Sequence, residues 1–193
     1  MISDLLTSNE KKLLNIIPYK EGETLFYEND TCEQIGIVLE GEMKISSLTF
    51  EGNEIIYNHL TKGSMFGNNL IFSSDNKYRG DVKAISKGKL GIISKDNLLK
   101  ILMNNEAFLK EYLLINSEFT KSLNTKIKLL SFDNALERFL YYLFINNNEI
   151  KFKNITTLAQ SLYLSREATS RLISKMEKDG RITRKKHQIS LIS

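Results

Sequence analysis

The 193-residue chain has one cysteine, Cys32, and two histidines, His59 and His187. A lone cysteine excludes an intramolecular disulfide and any all-cysteine iron–sulfur site within one chain. Cys32 reads as an unpaired thiol in a reducing cytoplasm. Haem is equally unsupported, because His59 falls in an expected strand and His187 in a basic turn. There is no Ser/His/Asp arrangement, no phosphate-binding glycine loop and no paired-histidine metalloprotease spacing, which argues against an enzyme. No apolar run approaches the roughly 18–20 residues needed to span a bilayer. The first residues lack a basic start followed by a long apolar run, so no secretory signal is expected. The basic residues form no amphipathic stripe, so a membrane partner is not expected either.

What is present is an ordinary globular composition, 41% hydrophobic and 26% charged, enough to bury a core in one large or two small domains. The charge is unevenly placed. Residues 132–193 hold 11 Lys/Arg against 6 Asp/Glu, whereas residues 1–131 hold 16 against 17. The whole positive excess lies in the last third, which suggests a polyanionic partner there.

The pattern along the chain has three parts. Leu5, Leu6, Leu13, Leu14 and Ile17 predict a small helix within residues 1–17. From Tyr19 to about Ile93, short segments rich in Ile, Val, Leu, Tyr and Phe alternate with turn signals such as Glu40-Gly41, Glu51-Gly52-Asn53 and Lys87-Gly88. Many short strands at this spacing predict an antiparallel sandwich or barrel. After Ser94 the strand signals stop. Residues 96–103 read as a helix, and a long one follows from Asn105 to about Ser131. In it Phe108, Tyr112, Ile115, Phe119, Leu123, Ile127 and Leu130 make one apolar stripe over about seven turns, widened by Leu109, Leu113 and Leu114. A helix this apolar has two neighbours to cover, its own β domain and a second copy of itself. Asp133 or Asn134 offers the N-cap of a further helix through about Phe144.

The last third carries the chemistry. Thr156 is a plausible N-cap for one short helix, with Leu158, Ala159 and Leu162 facing inward, and Ser165 caps a second. There Ala168, Leu172 and Met176 form a predicted buried row, and Arg166, Glu167, Thr169, Ser170 and Arg171 crowd the first two turns. Beyond Gly180, Ile182 lies in one strand and Ile189 and Leu191 in another, around the basic turn Arg184-Lys185-Lys186-His187. Two short helices and a basic hairpin make a winged helix-turn-helix. A guanidinium donates two hydrogen bonds to guanine O6 and N7, and a carboxylate accepts from cytosine N4. Arg166 and Arg171 sit about 140° apart around a helix, so both reach an edge of the groove. Ser165, Thr156 and Thr157, at helix starts, suit phosphate oxygens, as do Lys185 and Lys186. The competing reading makes Glu167 and Arg171 an ordinary surface ion pair one helical turn apart.

Ser165-Arg166-Glu167-Ala168-Thr169-Ser170-Arg171 resembles the recognition-helix core of the CRP/FNR family of bacterial regulators. The hairpin at Ile35–Ile45 resembles that family's glycine-turned hairpin, and residues 63–72 and 78–86 resemble the two halves of its cyclic-nucleotide cassette. The likeness extends over nearly the whole chain. It implies an α+β protein with a double-stranded β-helix (jelly-roll-like) sensor over 1–104, a dimerisation helix over 105–131 and a winged helix-turn-helix over 132–193. It also implies a homodimer on a palindromic duplex, half-sites one helical turn apart, working with RNA polymerase in the cytoplasm.

Two departures stand out. At Tyr163 the family usually has Gly or another small residue. In the sensor, Gly67-Asn68 stands where nucleotide-binding members have Gly-Glu, and Tyr78-Arg79 puts the arginine one residue from its expected place, which in a strand reverses its face. Both losses weaken a clamp on a cyclic nucleotide, so the expected effector is a small molecule other than cyclic AMP. Gly67, Asn68, Asn69, Tyr78 and Arg79 are the candidate contacts. Two alternatives stay open: a ligand-binding β domain with a vestigial DNA-binding domain, and a repressor that needs no ligand.

Overall fold

The structure is a computed structural model and describes residues 1–192. It divides into two compact units, Met1–Ser117 and Glu118–Ser193.

In the first unit the chain opens with two 3-10 turns, Ile2–Leu5 and Glu10–Leu13, in place of the expected small helix. Strand formation starts earlier than the turn signals implied. Strand β1 (Asn15–Tyr19) pairs along its length with β8 (Gly88–Ser94). It contains Pro18, which a strand tolerates at a sheet edge, and β1 is an edge. One antiparallel sheet runs β1-β8-β3-β6, with β3 at Gln34–Glu40 and β6 at Met65–Phe66. The other runs β2-β7-β4-β5, comprising Thr24–Phe26, Asp81–Ala84, Met43–Leu48 and Glu54–Leu60. Alternate side chains such as Ile35, Ile37, Met43, Val82, Leu90 and Ile92 fill a single core, giving the jelly-roll-like sandwich. Helix α1 (Lys95–Asn104), capped by Ser94, adds Leu98 and Ile101 to it.

Helix α2 (Glu106–Leu130) shows the long apolar stripe to be two faces. Phe108 and Tyr112 are buried in the sandwich core and Ile115 packs on it. Leu113, Leu123, Ile127 and Leu130 are 55%, 42%, 61% and 49% exposed.

In the second unit, α3 (Ala135–Ile145) is capped by Asn134. The first helix of the helix-turn-helix, α4 (Ile155–Leu162), is capped by Asn154 rather than Thr156; Asn154 Oδ1 accepts from Thr157 N, and Thr157 Oγ1 answers by accepting from Asn154 N. This reciprocal box outcompetes a cap two residues later. The second helix, α5 (Arg166–Lys178), buries Thr169, Ile173 and Met176. Ala168 and Leu172 of the expected row are only partly covered, because the buried face is turned by one residue. The hairpin is β10 (Ile182–Lys185) and β11 (Gln188–Leu191), and an unforeseen strand, β9 (Glu149–Lys151), pairs with β11 to make three strands. Phe139, Leu143, Ile150, Leu162, Ile173 and Ile189 join helices and sheet in one core.

Gly36 supports a packing prediction. It pairs with Phe66 across the sheet, and a Cβ added to it would overlap the Phe66 ring, which is 2% exposed. Gly36→Ala should lower unfolding free energy by about 1–3 kcal/mol, read from urea titration. A change within about 0.5 kcal/mol would mean the ring moves freely.

Candidate nucleic-acid interface

The turn between α4 and α5 sets the interface. Tyr163 takes a left-handed conformation, φ 54° and ψ 41°. This is the backbone that glycine adopts without strain and tyrosine does not, so the departure from a small residue leaves the turn's shape intact. Lys126 Nζ lies 5.3 Å from the Tyr163 ring centroid. From α3, Arg138 donates to Tyr163 O at 3.1 Å, to Leu162 O at 3.4 Å and to Phe132 O at 2.9 Å. One guanidinium thus ties the end of α4 to the start of α3. Ser165 Oγ then accepts from Ala168 N at 3.1 Å and starts α5.

Arg166, Glu167, Ser170 and Arg171 are exposed and, with Ile155, line one open cleft of about 570 Å³. Glu167 and Arg171 make no ion pair with each other among the described residues, so neither charge is neutralised along the helix. A second hollow, about 320 Å³, lies between the α4 start and the wing, with Asn154, Thr156, Arg166, Arg184, Lys186 and His187 on its walls. A third, about 560 Å³, takes in Lys151, Lys153, Lys185, Lys186 and His187. Shared residues join the three into one track with seven cationic side chains and one carboxylate, Glu167.

Of the sequence-named residues, Arg166, Glu167, Ser170, Arg171, Thr156, Lys185 and Lys186 meet on this track. Three do not present a free side chain to it. Thr169 is 0% exposed and its hydroxyl donates to Ser165 O at 3.0 Å, which makes it a core residue and corrects its inclusion among the DNA-contact candidates. The hydroxyls of Thr157 and Ser165 are engaged as caps. Lys151 and Lys153 were missed; the alternating Lys-Phe-Lys was the available signal, but β9 is only three residues long and shows itself only by pairing with β11.

The five sensor residues do not converge. Asn69 and Arg79 face solvent, and Arg79 pairs with Asp75 at 2.6 Å. Gly67 has φ +78°, and a Cβ there would crowd Gln34 O and Cys32 Sγ. Tyr78 is 3% exposed and its hydroxyl donates to Gln34 O. Burial pushes the Tyr78 phenol and the Cys32 thiol up, leaving both protonated and unreactive at neutral pH. Asn68 turns onto α2: its Nδ2 donates to Asn116 Oδ1 at 3.0 Å, and its carbonyl accepts from Tyr112 Oη at 2.8 Å. Burial pushes Tyr112 up to about 12, so the phenol stays a donor.

Arg138 gives the test of this construction. Arg138→Ala removes the donors to three carbonyls and should cost the Glu118–Ser193 unit about 2–3 kcal/mol. Thermal unfolding followed by circular dichroism measures it; an unchanged transition would mean the turn holds itself.

Comparison with known proteins bears on both units. The cyclic nucleotide-binding domain family matches residues 16–105. The anaerobic regulatory protein of Bacillus subtilis (strain 168) is 28% identical over 130 residues, 65% of this chain, and the match spans 55% of that protein's length. The catabolite activator protein of Thermus thermophilus superposes with a TM-score of 0.58 at 18% identity, covering 97% of this chain and 91% of that one. A CooA mutant from Carboxydothermus hydrogenoformans gives 0.65 at 20% identity, covering 95% and 86%. Residues 16–105 therefore resemble a cyclic nucleotide-binding domain, and the fold of the chain is similar to those of the two solved structures.

Proposed function

We propose that this chain is a dimeric, sequence-specific DNA-binding transcription regulator whose N-terminal domain answers a signal other than cyclic AMP. The observation that carries the proposal is the continuous basic track from Arg171 and Arg166 past the start of α4 to Lys186 and Lys151. In this reading α5 enters the major groove. Arg166 and Arg171 donate to guanine edges, Glu167 accepts from cytosine, and Ser170 adjusts to either. Thr156, Lys185 and Lys186 lie on backbone phosphates and fix the register without reading sequence. The hydroxyls used as caps act indirectly, by holding the N-termini of α4 and α5 toward those phosphates.

Dimerisation is supported by α2. Its exposed apolar residues need a partner, and a second copy offers the same helix. The paired recognition helices would then face half-sites about 34 Å apart. The signal acts by favouring one pairing of the α2 helices over another. Cyclic AMP fits poorly, because Arg79 is engaged with Asp75 in solvent and the Asn68 amide is engaged with α2. Engagement of the Asn68 amide with α2 also favours a second reading, a repressor that needs no ligand. RNA polymerase and a cytoplasmic setting complete the proposal.

Selection of random duplexes on the purified protein, with and without cyclic AMP, tests it. A palindrome is expected, independent of cyclic AMP. On the selected site, Arg171→Ala should cost about 1–3 kcal/mol per half-site and relax selectivity at one base pair. Lys185→Ala should weaken all sequences alike and reduce the salt slope by about 1 per half-site. Identical behaviour of the two variants across sequences would refute the division into readout and positioning.

A further inference from the structure

On the DNA-binding reading above, we infer that Tyr163 is a positioning residue: its ring gives the end of α2 a grip on the turn from which the recognition helix starts. The backbone work of this position needs no side chain. Tyr163 N donates to Ala159 O and Gln160 O, and its carbonyl accepts from Arg138 at 3.1 Å. A glycine would make the same bonds and would sit at φ 54° without strain. The ring therefore has to supply what offsets that strain.

What the ring adds is contact with α2. Lys126 Nζ lies 5.3 Å from its centroid, within the range at which an ammonium is attracted to an aromatic face. Lys126 is half-buried, whereas Lys121 and Lys128 of the same helix are exposed. The Tyr163 ring is partly covered in turn, and burial, with Tyr142 nearby, pushes its phenol up.

The end of α2 is held on a second side as well. Lys128 follows Lys126 by two residues, which is about 200° round the helix. Its Nζ lies 4.6 Å from the centroid of the Tyr141 ring on α3, and Phe132, just past α2, meets the same ring at 5.3 Å. Leu129, next along the helix, is buried. One cation thus fastens α2 to the α4–α5 turn and the other fastens it to α3. All of these residues lie in the Glu118–Ser193 unit.

Residues 131–134, between α2 and α3, are not helical, so their backbone gives α3 room to pivot. A helix gripped on opposite flanks cannot turn about its axis without carrying both neighbours with it. Ser165 caps α5 two residues after Tyr163, so the direction of α5 follows the turn. With glycine at 163 the grip on the turn is lost and only the one on α3 remains. Tyr163 thereby makes the recognition helix answer to α2, and the residue that departs from a small turn-former is the one that does so.

The experiment uses the full chain with nitroxides on Ser122→Cys of α2 and Ser174→Cys of α5. Both positions are exposed and Cys32 is fully buried, so labelling is confined to the introduced thiols. Dilution with unlabelled chain leaves the distance within one chain, read by pulsed electron resonance without DNA. One narrow distribution is expected. Tyr163→Gly should broaden it while the thermal unfolding midpoint stays level or rises, because the backbone strain is gone. Lys126→Met, which keeps the stem and removes the charge, should broaden it too, and it decides the matter if Tyr163→Gly does not fold. Tyr163→Phe retains a ring face and should stay narrow. On a site recovered by duplex selection, Tyr163→Gly and Lys126→Met should bind about two- to fivefold more weakly per half-site, and Tyr163→Phe should bind unchanged. A narrow distribution in Tyr163→Gly or Lys126→Met overturns the positioning role, as does a broad one in Tyr163→Phe. Failure to select any duplex overturns the DNA-binding reading instead, and the distance distributions still test the grip by themselves.

Discussion

Helix α2 carries apolar side chains over more of its circumference than one neighbour can cover. Phe108 and Tyr112 close the sandwich core, and Leu113, Leu123, Ile127 and Leu130 are left in solvent. Burying an exposed leucine or isoleucine is worth about 1.5–3 kcal/mol, so the free chain has a standing drive to find a second surface. In the proposed dimer, the helix pairing and the placement of the two recognition helices depend on how that drive is met.

The second unit obeys a different constraint. If α5 reads DNA as proposed, its outward residues must be left without partners, so everything that orients it must act from behind. Thr169, Ile173 and Met176 anchor α5 in the core, Ser165 caps it, and Arg138 fixes the turn before it. The outer face keeps Arg166, Glu167, Ser170 and Arg171 in the open cleft. Tyr163 tolerates a left-handed backbone because the neighbouring helices over-determine it.

The first unit has a jelly-roll-like fold similar to a cyclic nucleotide-binding domain, and its cassette-like residues are engaged within the chain. Asn68 binds α2, Tyr78 binds the β3 backbone, and Arg79 pairs with Asp75. A fold fixes where such residues lie along the chain, whereas their side chains decide what they can hold.

Much was legible before any coordinates. Alternating strands with glycine turns, the long helix after Ser94 and the winged helix with its basic turn follow from local periodicity and capping chemistry, and α2 and α5 begin within a residue of where those signals put them. The charge asymmetry and the arginines of α5 needed no structure either. What stayed hidden depended on partners far away in sequence. Strands β1 and β9 exist because β8 and β11 supply their hydrogen bonds. The α2 stripe could be divided into a core face and an exposed face only once the sandwich was in place. Thr169 was grouped with the DNA-contact candidates because periodicity cannot resolve a one-residue rotation of the buried face. The turn of Asn68 onto Asn116 joins residues 48 positions apart. Sequence by itself determined most of the elements and the chemistry they carry, since both are largely local properties of the chain. Tertiary structure alone decided which side chains remain available to a partner, because availability is what packing leaves over.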